Sequence, residues 1–188
     1  MRRDRGMSKI TRLVTAGELE RLPDNGYRYE LVEGRLVRMS PVTFDHGRIV
    51  LRLGFLLSRH LEKRPGGVIG TEIGFKLASN PDTVRGPDIA FVRSERVPAS
   101  GGHGFFEGAP DLAIEVLSPE DHASEIRARS GEYLASGVLL VVVVDPGKKT
   151  VAVFRQDRTT VMLGSRTDTL DLSDVIPNFH CRLREIFE

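Results

Sequence analysis

The apolar positions change period several times along the chain, and each change marks an element. From Phe44 to Arg64, Ile49, Leu53, Leu56, Leu57 and Leu61 recur at spacings of three and four, the period of a helix with one buried face. Arg48, Arg52, Arg59, Lys63 and Arg64 occupy much of the rest, and Pro65-Gly66-Gly67 stops the helix. Upstream, Thr15 to Leu22 reads as a short helix, because Thr15 and Glu18 have the spacing of a capping box. Tyr27 to Val32 and Arg35 to Met39 flank Glu33-Gly34, which predicts a β-hairpin. Val68 to Leu77 reads as a strand, with Glu72, Gly74 and Lys76 on one side and Ile73, Phe75 and Leu77 on the other. Ser79 to Arg85 is a polar loop by composition.

Three runs, Ile89 to Val92, Leu112 to Leu117 and Leu139 to Val144, are apolar throughout, as expected of strands covered on both faces. A long loop, Arg93 to Gly108, separates the first two. A helix from His122 to Ser136, closed by Gly137, separates the second and third. Thr150 to Arg155 and Thr160 to Leu163 read as a hairpin on the sheet edge, and the tail from Leu170 ends in a short helix. From Phe44 onward the order is helix, strand, strand, strand, helix, strand, an α/β architecture with a mixed sheet. The 188 residues suit one domain, residues 15–188, after an extension, 1–14, expected to be disordered.

Within this pattern two carboxylates are out of place. Asp88 opens one apolar run and Glu115 lies inside another. A buried acid is costly unless it is paired or binds a cation. Hard oxygen ligands suit Mg²⁺ or Mn²⁺, and the Val116 carbonyl is a further candidate ligand. The alternative is structural: Asp88 caps a strand end and Glu115 pairs with an arginine. Spacing leaves both open.

The segments Tyr29-Glu30-Leu31-Val32-Glu33-Gly34, His46, Arg85-Gly86-Pro87-Asp88 and Pro110 to Pro119 resemble the Uma-two family of restriction endonucleases. So do Glu132 to Val138 and Val144-Asp145-Pro146. The match runs in order from about Thr15 to Phe154. The resemblance implies a PD-(D/E)XK nuclease: a restriction-endonuclease-like core preceded by an N-terminal helix and hairpin. It implies a Mg²⁺-dependent endonuclease acting on DNA, with Asp88 and Glu115 as metal-binding acids and homodimerisation plausible. Glu30 and His46 would lie near the same cleft, Glu30 extending the metal site or activating a water, His46 contacting phosphate or relaying a proton.

One departure matters. The motif lysine belongs two residues after the second acid, where this chain has Leu117. In the family it comes instead from the following helix, and Arg129 is the best positional match. Arginine holds phosphate well but stays protonated. Three readings stay open: Arg129 supplies the electrostatic part alone, Lys76 reaches in from its strand, or cleavage is lost and a non-catalytic DNA-binding or regulatory module remains.

Composition narrows the rest. Lys and Arg number 27 against 26 Asp and Glu, so a nucleic-acid partner needs a local basic patch. Arg48, Arg52, Arg59 and Arg64 offer a phosphate-tracking stripe or simply a solvated helix face, and the solvated face is the more economical reading. The single cysteine, Cys181, fits a cytoplasmic setting. No apolar run approaches the ~20 residues of a membrane span. Ser118 lacks a glycine elbow, no glycine-rich phosphate loop precedes a helix, and His103 and His122 lack ligand spacing.

Overall fold

The computed structural model describes residues 12–99 and 104–188. The disorder expected of 1–14 concerns mainly residues outside this range; of those inside it, Val14 donates its N–H to the Gly34 carbonyl at 2.8 Å. Helix α1 (Ala16–Glu20) begins with the expected capping box: Thr15 Oγ1 accepts from the Glu18 N–H, and the Glu18 carboxylate accepts from the Thr15 N–H. Strands β1 (Tyr29–Val32) and β2 (Arg35–Arg38) form the expected hairpin. Its two turn residues, Glu33 and Gly34, take φ of 49° and 74°, the left-handed pair that matches strand twist.

Helix α2 (Phe44–Lys63) buries Ile49, Leu53, Leu56 and Leu57, as the spacing requires. The strand expected from Val68 to Leu77 is instead two strands in different sheets, β3 (Gly67–Gly70) and β4 (Phe75–Ala78). Glu72 turns the chain between them at φ 57°. The segment Ser79 to Arg85, a loop by composition, contains β5 (Thr83–Arg85), buried at every position. There follow β6 (Ile89–Arg93), β7 (Phe106–Glu107), β8 (Leu112–Val116), α3 (Ala123–Ala135), β9 (Leu140–Asp145), β10 (Thr150–Arg155) and β11 (Thr160–Leu163). A small hairpin, β12 (Thr169–Asp171) with β13 (His180–Arg182), leads into α4 (Leu183–Phe187).

The main sheet has the order β11-β10-β9-β8-β6-β3. Strands β3, β6 and β8 are antiparallel neighbours, whereas β8 and β9 are parallel and joined through α3. The order α2, β3, β6, β8, α3, β9 is therefore the expected core in a mixed sheet. Strands β4, β5 and β7 join the N-terminal hairpin in a second sheet, β2-β1-β5-β4-β7.

Alternation along β8 sorts its side chains. Leu112, Ile114 and Val116 enter the large core with α2 and α4, while Ala113 packs in the cluster containing Tyr133 of α3. Glu115 has the parity of Ala113 and so faces α3. On α2, Arg52 Nε donates to the Glu185 carbonyl at 2.7 Å and Arg48 Nη1 to the Phe187 carbonyl at 3.4 Å. These two arginines thus fasten α4 to α2, and only Arg59 and Arg64 of the candidate phosphate stripe remain uncommitted to α4. Among the described residues no helix is long and apolar enough to cross a membrane.

Candidate active site

Asp88 immediately precedes β6, and Glu115 sits in β8. The two strands pair with Ile89 opposite Ile114 and Ala90 opposite Ala113. One further step of that register sets Asp88 opposite Glu115 with both side chains on one face of the sheet. The spacing of the acids along the chain, 27 positions apart by their numbers, is thus converted into adjacency by an antiparallel ladder.

Asp88 Oδ2 accepts two hydrogen bonds, from the Val116 N–H at 2.7 Å and from His46 Nε2 at 3.1 Å. Among the described residues no hydrogen bond reaches Oδ1. His46 lies in the first turn of α2 and is buried. Its bond to Asp88 raises the imidazole above its ordinary pKa, against the effect of burial.

Glu115 is 8% exposed. Tyr133 donates its hydroxyl to Oε1 at 2.8 Å, and Arg129 Nη1 approaches Oε2 at 3.3 Å. Arg129 and Tyr133 stand four residues apart on α3, so one helix face presents both. Burial pushes the Glu115 carboxyl up to about 7; Arg129 opposes this and the Asp88 and Glu30 charges add to it. Burial, reinforced by Glu115, also raises the Tyr133 phenol well above its ordinary value, which makes it a neutral donor.

A cleft of about 1320 Å³ opens over these groups, and Glu30, His46, Asp88, Glu115, Val116 and Arg129 all line it. Six of the candidate residues are thereby brought together. Lys76 is not. The turn at Thr71–Gly74 carries β4 into the second sheet, where the Lys76 ammonium faces Glu107 at 3.6 Å. Its shared face with Glu72 exists only on an unbroken strand.

Glu30 reaches the cleft, but its oxygens are taken. Oε2 accepts from Arg85 Nη1 at 2.8 Å and Oε1 from the Gly86 N–H at 2.9 Å. It therefore fixes the backbone two residues before Asp88 instead of adding a free oxygen to the acids. Arg85 turns its other edge to Glu132 of α3, at 2.6 and 3.3 Å. Arg85, Glu132 and Tyr133 have no role in the sequence reading, although all three fall in the segments that carry the family resemblance. The Pro110-Asp111 acid, by contrast, lies outside the site. It is buried and accepts from the Arg93 N–H at 3.0 Å and from Arg96 at 2.9 Å.

Among the described residues no group of three or more His, Cys, Asp or Glu side chains is placed to hold a metal ion. The donors present suit a cation that needs only one or two carboxylates and keeps its waters. They are hard oxygens, one Asp88 oxygen has no hydrogen bond, and Glu115 is a buried carboxyl whose charged form a nearby cation would stabilise.

Opposed acids on antiparallel central strands, with a helix packed on each face of the sheet, define the restriction-endonuclease-like class. The family model for Uma2, described as "Putative restriction endonuclease", matches residues 16–184. The chain belongs to this family. A crystal structure from Anabaena variabilis, described as "a putative nuclease belonging to DUF820", has the same fold. Its TM-score is 0.82 at 21% identity, over 93% of this chain and 97% of that one. A comparison with curated proteins gives no match. The family description is that of a nuclease, and the crystal structure shares the fold.

Proposed function

We propose that the chain is a metal-dependent endonuclease that hydrolyses DNA phosphodiester bonds, with Mg²⁺ as the cofactor and Mn²⁺ able to replace it. The observation that carries this reading is the register of β6 and β8, which opposes Asp88 and Glu115 beside the cleft. Asp88 and Glu115 would hold the cation, with the Val116 carbonyl as a third oxygen. When bound, such an ion polarises a phosphoryl oxygen and lowers the pKa of a water for in-line attack. Arg129 offers a guanidinium to the phosphate, beside the acid it already contacts. Tyr133 holds one Glu115 oxygen, and His46 holds one Asp88 oxygen.

The test is cleavage of supercoiled, linear and single-stranded DNA with Mg²⁺ or Mn²⁺. Cutting by the wild type and its loss in Asp88→Ala and Glu115→Ala are expected. Wild-type protein that cuts none of these substrates, or variants that cut equally well, would sink the reading. Two copies would be needed to cut both strands at once, and sedimentation in the presence of DNA reports on that pairing.

One observation favours a second reading. No lysine lines the cleft among the described residues, and the arginine in its place cannot take up a proton. A DNA-binding module without cleavage would give a gel shift with intact DNA, insensitive to metal.

A further inference from the structure

The buried histidine behind Asp88 has an unusual polar balance. His46 is 5% exposed. Its ring Nδ1 is buried and has no hydrogen-bond partner among the described residues. Leaving a buried ring nitrogen unpaired is unfavourable, and packing alone is served better by an apolar residue. The one polar contact of the ring is Nε2 with Asp88 Oδ2. The same oxygen accepts from the Val116 N–H. Two donors on one oxygen fix the carboxylate plane and occupy that oxygen, while Oδ1 stays open.

We propose that His46 is a positioning residue that, together with the Val116 N–H, confines Asp88 to single-oxygen coordination and so tunes the cleft to small octahedral cations over Ca²⁺. The inference rests on the metal-site reading above. Ca²⁺ takes roughly six to eight oxygens in flexible geometry and commonly uses both oxygens of a carboxylate, whereas Mg²⁺ demands an octahedron and keeps several waters. Glu115 is held differently, with Tyr133 on Oε1 and Arg129 beside Oε2, so each of its oxygens meets one donor. An Asp88 that offers one oxygen gives Ca²⁺ fewer protein ligands than it commonly takes, while a Mg²⁺ or Mn²⁺ that keeps its waters needs no more. His46 acts through Asp88 and touches neither substrate nor the reacting atoms.

The experiment reads ion binding and needs no cleavage. Mn²⁺ is titrated into metal-free protein and followed by electron paramagnetic resonance, and Ca²⁺ is then used as competitor. The wild type is expected to bind Mn²⁺ more tightly than Ca²⁺. His46→Ala should shrink that preference by about tenfold or more, in line with substitutions of groups that orient metal ligands. His46→Gln, whose amide N–H can reach Asp88, should keep it. His46→Asn, one methylene shorter, should behave as His46→Ala and replaces it if the alanine variant does not fold by circular dichroism. An unchanged Mn²⁺-to-Ca²⁺ preference in the short variants overturns the proposal, even if both ions weaken in parallel. Absence of saturable Mn²⁺ binding by the wild type is a different result: it overturns the metal-site reading itself, and this inference with it.

Discussion

Neutralising Glu115 should stabilise the metal-free protein at alkaline pH. The substitution Glu115→Gln keeps the shape of the side chain and an oxygen for the Tyr133 hydroxyl, but removes the charge that burial disfavours. In the folded protein this carboxyl titrates near about 7, against an ordinary 4.5. The folded state therefore holds a proton that the unfolded chain has already released across that interval. Stability falls as pH rises from the lower value to the upper one and is level beyond it. The gap corresponds to about 3 kcal/mol, since each tenfold change in proton affinity is worth about 1.4 kcal/mol. A protonated Glu115 and a glutamine are electrostatically alike, so wild type and variant should be nearly equal at low pH.

The assay is urea unfolding in EDTA at a series of pH values between about 4 and about 8.5, comparing the two proteins at each value. His46 also titrates upward of its ordinary pKa, so its stabilisation is likewise lost as pH rises. It is present in both proteins and cancels to first order in the difference. The expected result is a variant that gains on the wild type through neutral pH and leads by about 3 kcal/mol at the alkaline end. A difference that stays constant across the whole range would refute the reasoning, because burial of the carboxylate would then not be what sets its proton affinity.

Three further outcomes follow from other contacts. Arg85→Met should cost about 3–5 kcal/mol in urea unfolding, because Glu30 and Glu132 both lose the guanidinium that pairs them; a loss below about 1 kcal/mol would show that water replaces it freely. Tyr133→Phe should cost about 1 kcal/mol and move the Glu115 titration still higher, measured by the same pH series, since the lost hydroxyl favours the charged carboxylate. Gly67→Ala should lower stability by about 1–3 kcal/mol, because its new methyl carbon would clash with the Val92 carbonyl oxygen; an unchanged thermal midpoint would contradict that packing.

The legible parts of the fold are those whose period is local. Helix α2 was readable from Ile49, Leu53, Leu56 and Leu57, and the β10–β11 hairpin from the adjacent runs Thr150 to Arg155 and Thr160 to Leu163, because each pattern is local in the chain. The break between β3 and β4 was not, since Ile73, Phe75 and Leu77 alternate with Glu72, Gly74 and Lys76 as one strand would, while the chain crosses between sheets. Gly70 and Gly74 were the available signal: a side chain at either would meet Ile73 or Phe105. Strand β5 hid for another reason. Arg85 looks like a surface residue by composition, and only its two carboxylate partners, from β1 and α3, make burial tolerable. The acids themselves were visible as exceptions within apolar runs. Of their supports, His46 and Arg129 are legible only through the family resemblance and Tyr133 not at all, because all three meet the acids through tertiary packing that no local spacing encodes.

The substitution at the motif lysine makes sense in this geometry. Position 117 shares the parity of Glu115 on β8, and Leu117 packs with the cluster that includes Val141, Val143 and Tyr133. A lysine there would have to displace an apolar contact beneath α3. Arg129 brings its charge to the same carboxylate from α3, one turn before Tyr133. On the proposed reading, the helix arginine would keep the electrostatic part of a strand lysine but not its capacity to accept a proton. That division shifts the weight of the site onto the positioning contacts. Glu30 fixes Gly86 before Asp88, Arg85 ties β5 to α3 through Glu132, and α3 in turn aims Arg129 and Tyr133 at Glu115. Both acids are therefore held by one connected set of buried and half-buried polar groups, so a change at Arg85 is expected to reach both Asp88 and Glu115.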